Sequence, residues 1–586
     1  MRASDPDSES GVRFEPDDRP PGGLAVVGGA QLVVLGITGL VLIPTTVIRA
    51  AGGTEAYLSW AIFCTVAVSG ACTALQAVRL GRVGAGYVLW TGPAVAFIGV
   101  TVAALAAGGP ALLGVLVVVS SVLPIAISVR LALFRRLLTP TIVGTVNMLM
   151  PATVLPIVFG RLNETPDGAS ALGAPLTAVV TAAVIAGVSL KGSARLRLWA
   201  PLIGVAAGSA VAGAFGFYDL DRVLRASWIG LPPVAWSRAE LDLGPAFAGL
   251  LPAFLFVALI GAIQTITAAV AIQRVSWRRP RAVDYRAVEG AVAADGAGKL
   301  LSGIAGIMPT QTIAISVPTI ELTGVAARRI GLAAGAVMLC LALLPKALAV
   351  VLAIPGPVAA AYITVLLALA FVRGMTEVVQ DGIDHRKGLI AGVAFWVGVG
   401  CQNGMIFPEH LASFAGGLLE NGITTGGLVA ILMTLFLEVT APRTSRLEVD
   451  ADLSALKEIQ DFVAAFAYRS GWDARMAHRL DAVSEETLLT LVDEDDVGKR
   501  GRRRLFLSAR KESGGALLEF TAAAGEENIQ DRMGLLAERP DDTLMEREVS
   551  LRLLRHLASS VRHQQFHDTD IVTVHVGAPG KRAGDR

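Results

Sequence analysis

The chain has 586 residues, of which 53% are apolar and 17% charged, with a mean hydropathy of +0.60 and a formal net charge of +1. That balance excludes a soluble globular protein of this size and singles out no charged partner; nucleic acid is not expected. The composition is that of a polytopic α-helical membrane protein, with the lipid bilayer as its solvent.

Residues 1–21 are polar and acidic, without the apolar core of a signal peptide, and read as a disordered cytoplasmic leader. From 22 to 442 follow about fourteen apolar runs, two of them short or interrupted, long enough to cross about 30 Å of hydrocarbon. They lie near 24–48, 57–78, 86–107, 111–130, 140–160, 172–190, 196–216, 246–273, 287–307, 312–326, 329–354, 357–379, 387–407 and 422–441. Alternate loops are rich in arginine and lysine (Arg79 and Arg82; Arg130, Arg135 and Arg136; Lys191, Arg195 and Arg197; five arginines from Arg274 to Arg286). The opposite loops carry only scattered arginines such as Arg49, Arg161 and Arg222. The positive-inside rule then places both termini in the cytoplasm, in a multi-pass protein of the inner (plasma) membrane.

Fourteen runs suggest two sevenfold repeats in inverted orientation. The third run, "GAGYVLWTGPAVAFIG", carries Thr91-Gly92-Pro93, and the tenth, "TQTIAISVPTIELTG", carries Ser316-Val317-Pro318, each a hydroxyl residue two before a proline. Proline is tolerated in a helix's first turn and Ser or Thr before it can cap the free N–H groups. Each run therefore reads as an extended piece followed by a half-helix starting inside the membrane, which must line a protein cavity. Two such N-termini, with residues Thr91 to Val95 and Ala314 to Val317, suit a polar or anionic small molecule.

Gln31 in the first run and Gln264, followed by Thr265, in the eighth occupy corresponding positions at that depth. Both serve equally as interhelical hydrogen-bonding groups or as substrate ligands. Asp295 and Lys299 in the ninth run share a helix face as a charge pair, supporting the site or anchoring the helix. Glu321 falls in the half-helix; Lys346 and Glu377 lie toward span ends, where snorkelling accounts for them. Cys64, Cys72, Cys340 and Cys401 show no CxxC spacing, so no disulfide, metal or cofactor is expected.

After about 443 the chain turns charged and amphipathic, marking a soluble domain over 450–577 with a disordered tail at 578–586. Its "LKEIQDFVAAFAYRSGWDARMAHRLDAVSEETLLTLVDED", "RRLFLSARKESGGALLEFTAAAG" and "EREVSLRLLRHLASSVRHQQFHDTDIVTVHV" resemble the histidine-kinase-like ATPase fold of anti-sigma-factor kinases. That likeness implies a two-layer α/β sandwich ordered helix, helix, strand, strand, helix, strand. It keeps Glu485 and Glu486 but has Thr490 at the magnesium-binding asparagine position and "TAAAGEEN" for the adenine-reading loop. A degenerate regulatory or docking module with a cytoplasmic protein partner is expected rather than a nucleotide-binding one.

Within the membrane region, "AVSGACTALQAVRLGRVGAGYVLWTGPAVAFIG" and "VEGAVAADGAGKLLSGIAGIMPTQTIAISVPTIELTGVAARRIG" resemble the xanthine/uracil permeases. The resemblance covers about 22 to 442 and implies a core (runs 1–4 and 8–11), a gate (runs 5–7 and 12–14), an elevator motion, proton or sodium coupling and a homodimer. It places a nucleobase, xanthine-, uracil- or urate-like, or another small polar solute against Gln31, Thr91, Gly92, Ala94, Val95, Gly261, Gln264, Thr265, Ala314, Ile315, Ser316 and Val317. No covalent chemistry is implied, so the chain is not an enzyme.

The departures bear on mechanism. The family's eighth-run glutamate falls on Gly261, its tenth-run signature on Ile315, Ser316 and Pro318, and the histidine after the first-run glutamine on Leu32. Without those carboxylates the usual base recognition and proton carriage are lost. Three readings stay open: a different substrate, an uncoupled facilitator in which Lys299 supplies a fixed positive charge, or a sensor signalling through the tail. An anion carrier of the sulfate-permease type is a further alternative.

Overall fold

The computed structural model describes residues 11–131, 139–165, 170, 172–218, 220–234, 244–279, 281–379, 385–413, 419, 421–440, 445–450, 452–491, 504–512, 515–523, 553–567 and 569–577. The chain forms two compact units, one of residues 1–278 and 287–436, the other of 279–286 and 437–586.

In the first unit, α1 (Gly22–Ala50) and α2 (Glu55–Ala77) precede strand β1 (Trp90–Pro93), a single 3₁₀ turn at Val95–Phe97 and α3 (Ile98–Val129). Helix α3 is broken at Gly108–Gly109, where Gly109 has φ 65°, with Pro110 following, so it carries both the third and fourth runs. Then come α4 (Pro140–Gly160), α5 (Gly173–Lys191), α6 (Ala194–Ala214), α7 (Pro245–Val275) and α8 (Tyr285–Ile304). Strand β2 (Thr310–Ile313) leads into the half-helix α9 (Ser316–Thr323), followed by α10 (Arg328–Ala342), α11 (Pro345–Leu352), α12 (Gly356–Val379), α13 (His385–Gln402) and α14 (Gly422–Thr440). Among the described residues eight helices, α1 to α7 and α12, are long and apolar enough to cross a membrane; α10 and α11, bent by 88°, make a ninth. The protein is a polytopic helical membrane protein.

The packing repeats itself when each run is exchanged for the one seven places away. Run 2 meets run 11 where Gly70 and Gly335 face each other, and run 9 meets run 4 where Gly303 faces Gly114 and Val118. Run 1 packs on run 11 at Gly29, and run 8 on run 4 through Phe254, Val257, Leu113 and Leu116. Runs 5 and 12 pack on each other at Gly144 and Gly374; run 5 also packs on run 13, and run 12 on run 6. In lipid, where apolar surface gains nothing by being covered with another apolar surface, such small residues let backbones approach and dispersion hold them. Contacts between runs 1–4 with 8–11 and runs 5–7 with 12–14 are sparse by comparison.

Part of the leader expected to be disordered is ordered. Phe14 forms a parallel bridge with Val325, Arg13 N donates to Gly324 O at 2.6 Å, and Asp17 and Asp18 pair with Arg328 and Arg278 at 2.6 and 3.3 Å. Its acidic residues answer arginines some 260 to 310 positions away, which composition does not disclose; residues 1–10 lie outside the described residues.

The second unit is a five-stranded antiparallel sheet of order β3-β4-β5-β7-β6, with β3 (Ser445–Asp450), β4 (Arg504–Glu512), β5 (Gly515–Ala523), β6 (Ser560–Gln565) and β7 (Thr569–Gly577). Helices α15 (Leu456–Arg469) and α16 (Ala474–Leu491) cover one face, burying Ile459, Val463, Leu480 and Val483 against Leu507, Leu518, Phe520 and Val574. The α/β two-layer expectation thus meets a sheet larger than expected. A strand begins at Ser445, before the expected boundary at 450, and the single C-terminal strand is a hairpin. Residues 279–286 join this unit: Asp284 bridges to Gln565, Gln564 Nε2 donates to the Tyr285 hydroxyl at 2.9 Å, and the Tyr285 and Phe566 rings lie 4.9 Å apart. Glu485 and Glu486 stand on α16, His563 is buried 3.5 Å from Asp570, and the loop from 524 onward lies outside the described residues.

A Cβ at position 335 would lie 2.6 Å from the Gly70 carbonyl oxygen and 2.8 Å from Ala74 Cβ, whereas one at 388 meets nothing within 4 Å. Gly335→Val is therefore expected to cost about 3 kcal/mol or more and to lower the melting temperature of the detergent-solubilised protein, while Gly388→Ala leaves it unchanged.

Candidate functional site

Strands β1 and β2 lie antiparallel with Thr91 opposite Thr312 and Gly92 opposite Gln311, inside otherwise helical apolar protein. A two-stranded ladder leaves outer N–H and C=O groups unpaired, and here α2, α8 and neighbouring loops answer several of them. Thr91 N donates to Thr73 Oγ1 at 3.0 Å, Thr312 N to Asp295 Oδ1 at 2.9 Å, Thr310 N to Ser302 Oγ at 3.3 Å and Ala94 N to Pro309 O at 2.8 Å. Gln76 Nε2 donates to Ala291 O at 3.0 Å and to Thr312 Oγ1 at 2.9 Å, tying α2 to α8 and β2.

The hydroxyls expected to cap the half-helices do not. Thr91 lies within β1 and its Oγ1 has no partner; Pro93 closes the strand, and helix begins only after Ala94. Ser316 is already the first helical residue of α9 and its Oγ donates to Val88 O at 2.5 Å, so the cap position falls to Ile315, which makes no side-chain cap. At Ser316 a tertiary partner takes the hydroxyl, and at Thr91 the strand carries it ahead of the helix start.

Between the two groups of runs lies a cavity of about 380 Å³. The core side supplies Trp90, Pro93 and Val95, then Gln264 and Thr267 of α7, then Gln311 to Ile315. Trp90 is pressed so closely onto α1 that a Cβ on Gly36 would fall 2.2 Å from its ring. The opposite side supplies Asn147 and Met150 of α4 and Tyr362, Arg373 and Glu377 of α12.

A directed chain of hydrogen bonds crosses this cavity. Gln311 Nε2 donates to Gln264 Oε1, Gln264 Nε2 to Asn147 Oδ1 at 2.7 Å, and Asn147 Nδ2 to Glu377 Oε2 at 2.6 Å. Arg373 stands 3.7 Å from the other Glu377 oxygen. Three amides from β2, α7 and α4 thus end on one carboxylate, while Gln311 Oε1 stays unpaired at the far end. Behind it, Asp295 and Lys299 form an ion pair with both side chains fully buried.

Of the residues singled out from the sequence, Val95, Gln264, Ala314 and Ile315 line this cavity. Thr91, Gly92, Ala94, Gly261, Thr265, Ser316 and Val317 do not. Gln31 and Ser316 instead line a separate pocket of about 70 Å³ with Thr319, away from Gln264. Glu377, expected to snorkel, is mostly buried and takes part in the site. Asn147, Gln311, Tyr362 and Arg373 were not anticipated; an amide within an apolar run was the available signal for Asn147.

Residues 23–406 match the xanthine/uracil type of the permease family. The chain belongs to that family. It is 27% identical over 455 residues to the xanthine permease XanQ of Escherichia coli strain K12, covering 73% of this chain and 94% of that one. It is 26% identical over 455 residues to the uric acid permease PucJ of Bacillus subtilis strain 168, covering 73% and 97%. The transmembrane domain of a cyanobacterium bicarbonate transporter, BicA, covers 72% of this permease and 100% of itself, at 16% identity and a TM-score of 0.44. The matched family and these relatives are permeases, and the chain is a transporter rather than an enzyme.

The Asn147–Glu377 bond is charge-assisted and poorly solvated, so Asn147→Ala is expected to destabilise the permease by about 1.5–3 kcal/mol. In a double-mutant cycle on thermal unfolding, Asn147→Ala with Glu377→Gln should cost less than the sum of the single changes.

Proposed function

We propose that this permease carries a xanthine- or urate-like nucleobase across the inner membrane, both termini cytoplasmic, with the runs 1–4 and 8–11 core moving as an elevator against the gate. The observation that carries the reading is the cavity with Gln264 and Gln311 side by side on its core wall. Each amide presents a donor and an acceptor in one plane, the arrangement with which Asn and Gln recognise a purine edge. The volume is in the range of small-molecule sites. The Glu377 carboxylate supplies an acceptor for a ring N–H group in place of the missing eighth-run glutamate. XanQ and PucJ, named for xanthine and uric acid, support the same substrate class.

The Gln264–Asn147 bond joins α7 of one group of runs to α4 of the other. A base accepting the Gln264 donor would take Asn147's place and loosen that tie, coupling occupancy to movement.

A second role is favoured by residues 279–286. They connect α7, which bears Gln264, to α8, which bears Asp295 and Lys299, yet they group with the C-terminal unit. We infer that this unit regulates transport through that connection.

Thermal stabilisation of the purified permease tests the site. Xanthine or urate at 100 times its Kd should stabilise by about 2.7 kcal/mol. Gln264→Ala and Gln311→Ala should weaken that by roughly tenfold or more in affinity, each removing hydrogen-bonding groups from the site, whereas Gln31→Ala should leave it intact. Loss of the shift in Gln31→Ala alone would move the site to the smaller pocket. Regulation is tested by xanthine uptake: Tyr285→Ala and Phe566→Ala should change the initial rate together and in the same direction as removal of residues 441–586, and equal rates in all would refute it.

A further inference from the structure

Lys299 is among the largest fully buried side chains of the protein, and its charged end meets Asp295 one helical turn away. Asp295 is also structural, because its other oxygen accepts the Thr312 N–H of β2 at 2.9 Å. One carboxylate thus fastens the strand through one oxygen and pairs with a cation of its own helix through the other.

Four buried oxygens without a hydrogen-bond partner stand on β1, β2, α2 and α7, the elements that meet α8 or its strand partner. They are Gln311 Oε1, Thr265 Oγ1, Gln76 Oε1 and Thr91 Oγ1. Gln311 Oε1 and Lys299 Nζ both face the point that a Cβ on Gly261 would occupy, at 3.3 and 3.6 Å. Thr265 follows Gly261 by one turn of α7; Gln76 holds Thr312, opposite which Thr91 pairs. A carboxylate with neutral amide and hydroxyl oxygens is a hard-oxygen set of the kind small inorganic cations take, set where unwound backbone meets half-helices. The only cation there among the described residues is the lysine ammonium, tethered to α8.

We propose that Lys299 is a built-in cation: its ammonium occupies a sodium subsite of the core, so that sodium neither binds there nor is carried. The core then keeps a neutral Asp295–Lys299 pair in every position, and substrate moves down its own gradient. Gly261 fits this arrangement, since an acidic side chain there would point straight at the ammonium and draw it off Asp295. The consequence for coupling rests on the transport reading above; the subsite itself is tested without any substrate.

The experiment is thermal unfolding of the full chain at pH 8 in sodium chloride or choline chloride of equal ionic strength. The wild-type midpoint is expected to be the same in both salts. Lys299→Ala should unfold several degrees lower in choline and recover saturably in sodium, because the ion replaces the lost ammonium. Asp295→Asn/Lys299→Met, with neither charge, should not respond to sodium. Saturable stabilisation of the wild type by sodium would overturn the proposal, as would a folded Lys299→Ala that is insensitive to sodium. So would recovery on acidification alone, which would mean that a proton on Asp295 suffices. Failure of both Lys299→Ala and Lys299→Gln to fold in sodium would show that the ion cannot replace the ammonium, and that the pair is an anchor only. Xanthine added to the wild type in the same assay reports separately on the substrate reading, and equal uptake in sodium and choline is expected where that reading holds.

Discussion

The structure depends on two short strands being held open inside apolar protein. Each unpaired backbone N–H or C=O at membrane depth costs several kcal/mol, so extended chain survives there only when every group finds a partner. Strands β1 and β2 supply some of the partners to each other. Thr73 and Gln76 of α2, and Asp295 and Ser302 of α8, supply others. The small residues along α2, α8 and α10 follow from the same need, since helices must come close for short side chains to reach the strands. The half-helix starts are in place because this frame is rigid, and the cavity is the space they leave toward the gate.

Seen this way the site divides into two layers with different chemistry. The outer layer is a chain of three amides, Gln311, Gln264 and Asn147, that ends on the Glu377 carboxylate of α12. The inner layer is charged and closed, a buried Asp295–Lys299 pair that fastens β2. A buried pair is a costly way to gain stability and contributes chiefly when both members are saturated with partners. Here both carboxylate oxygens of Asp295 are engaged, one by Lys299 and one by the Thr312 N–H.

Much of this architecture was legible because hydrophobicity and proline obey local rules. Each of the fourteen apolar runs coincides with described helices or strands, and the extended stretches at 90–93 and 310–313 were announced by threonine and proline within apolar sequence. Gln264 was readable as a polar residue that lipid would not tolerate. The capping role of Thr91 and Ser316 was not, because Thr91 lies inside the β1 ladder and a main-chain oxygen at Val88 binds Ser316 instead. Gln31 and Gln264 matched in position within their repeats but face different pockets, since a repeat relation places backbones and leaves side-chain direction to packing.

The sequence by itself determined that the chain lives in a membrane, where its backbone departs from helix, and which carboxylates of its family it lacks, because these are properties of single segments and their solvent. Only the tertiary structure decided which distant polar residues meet. Asn147 reaches Glu377 across 230 positions, Gln311 reaches Gln264 across 47, and the leader reaches Gly324 through main-chain bonds that no side-chain pattern encodes. Such pairings carry no local signature: each partner is an ordinary polar residue until folding removes water from around it, and only then does its hydrogen bond decide where it points.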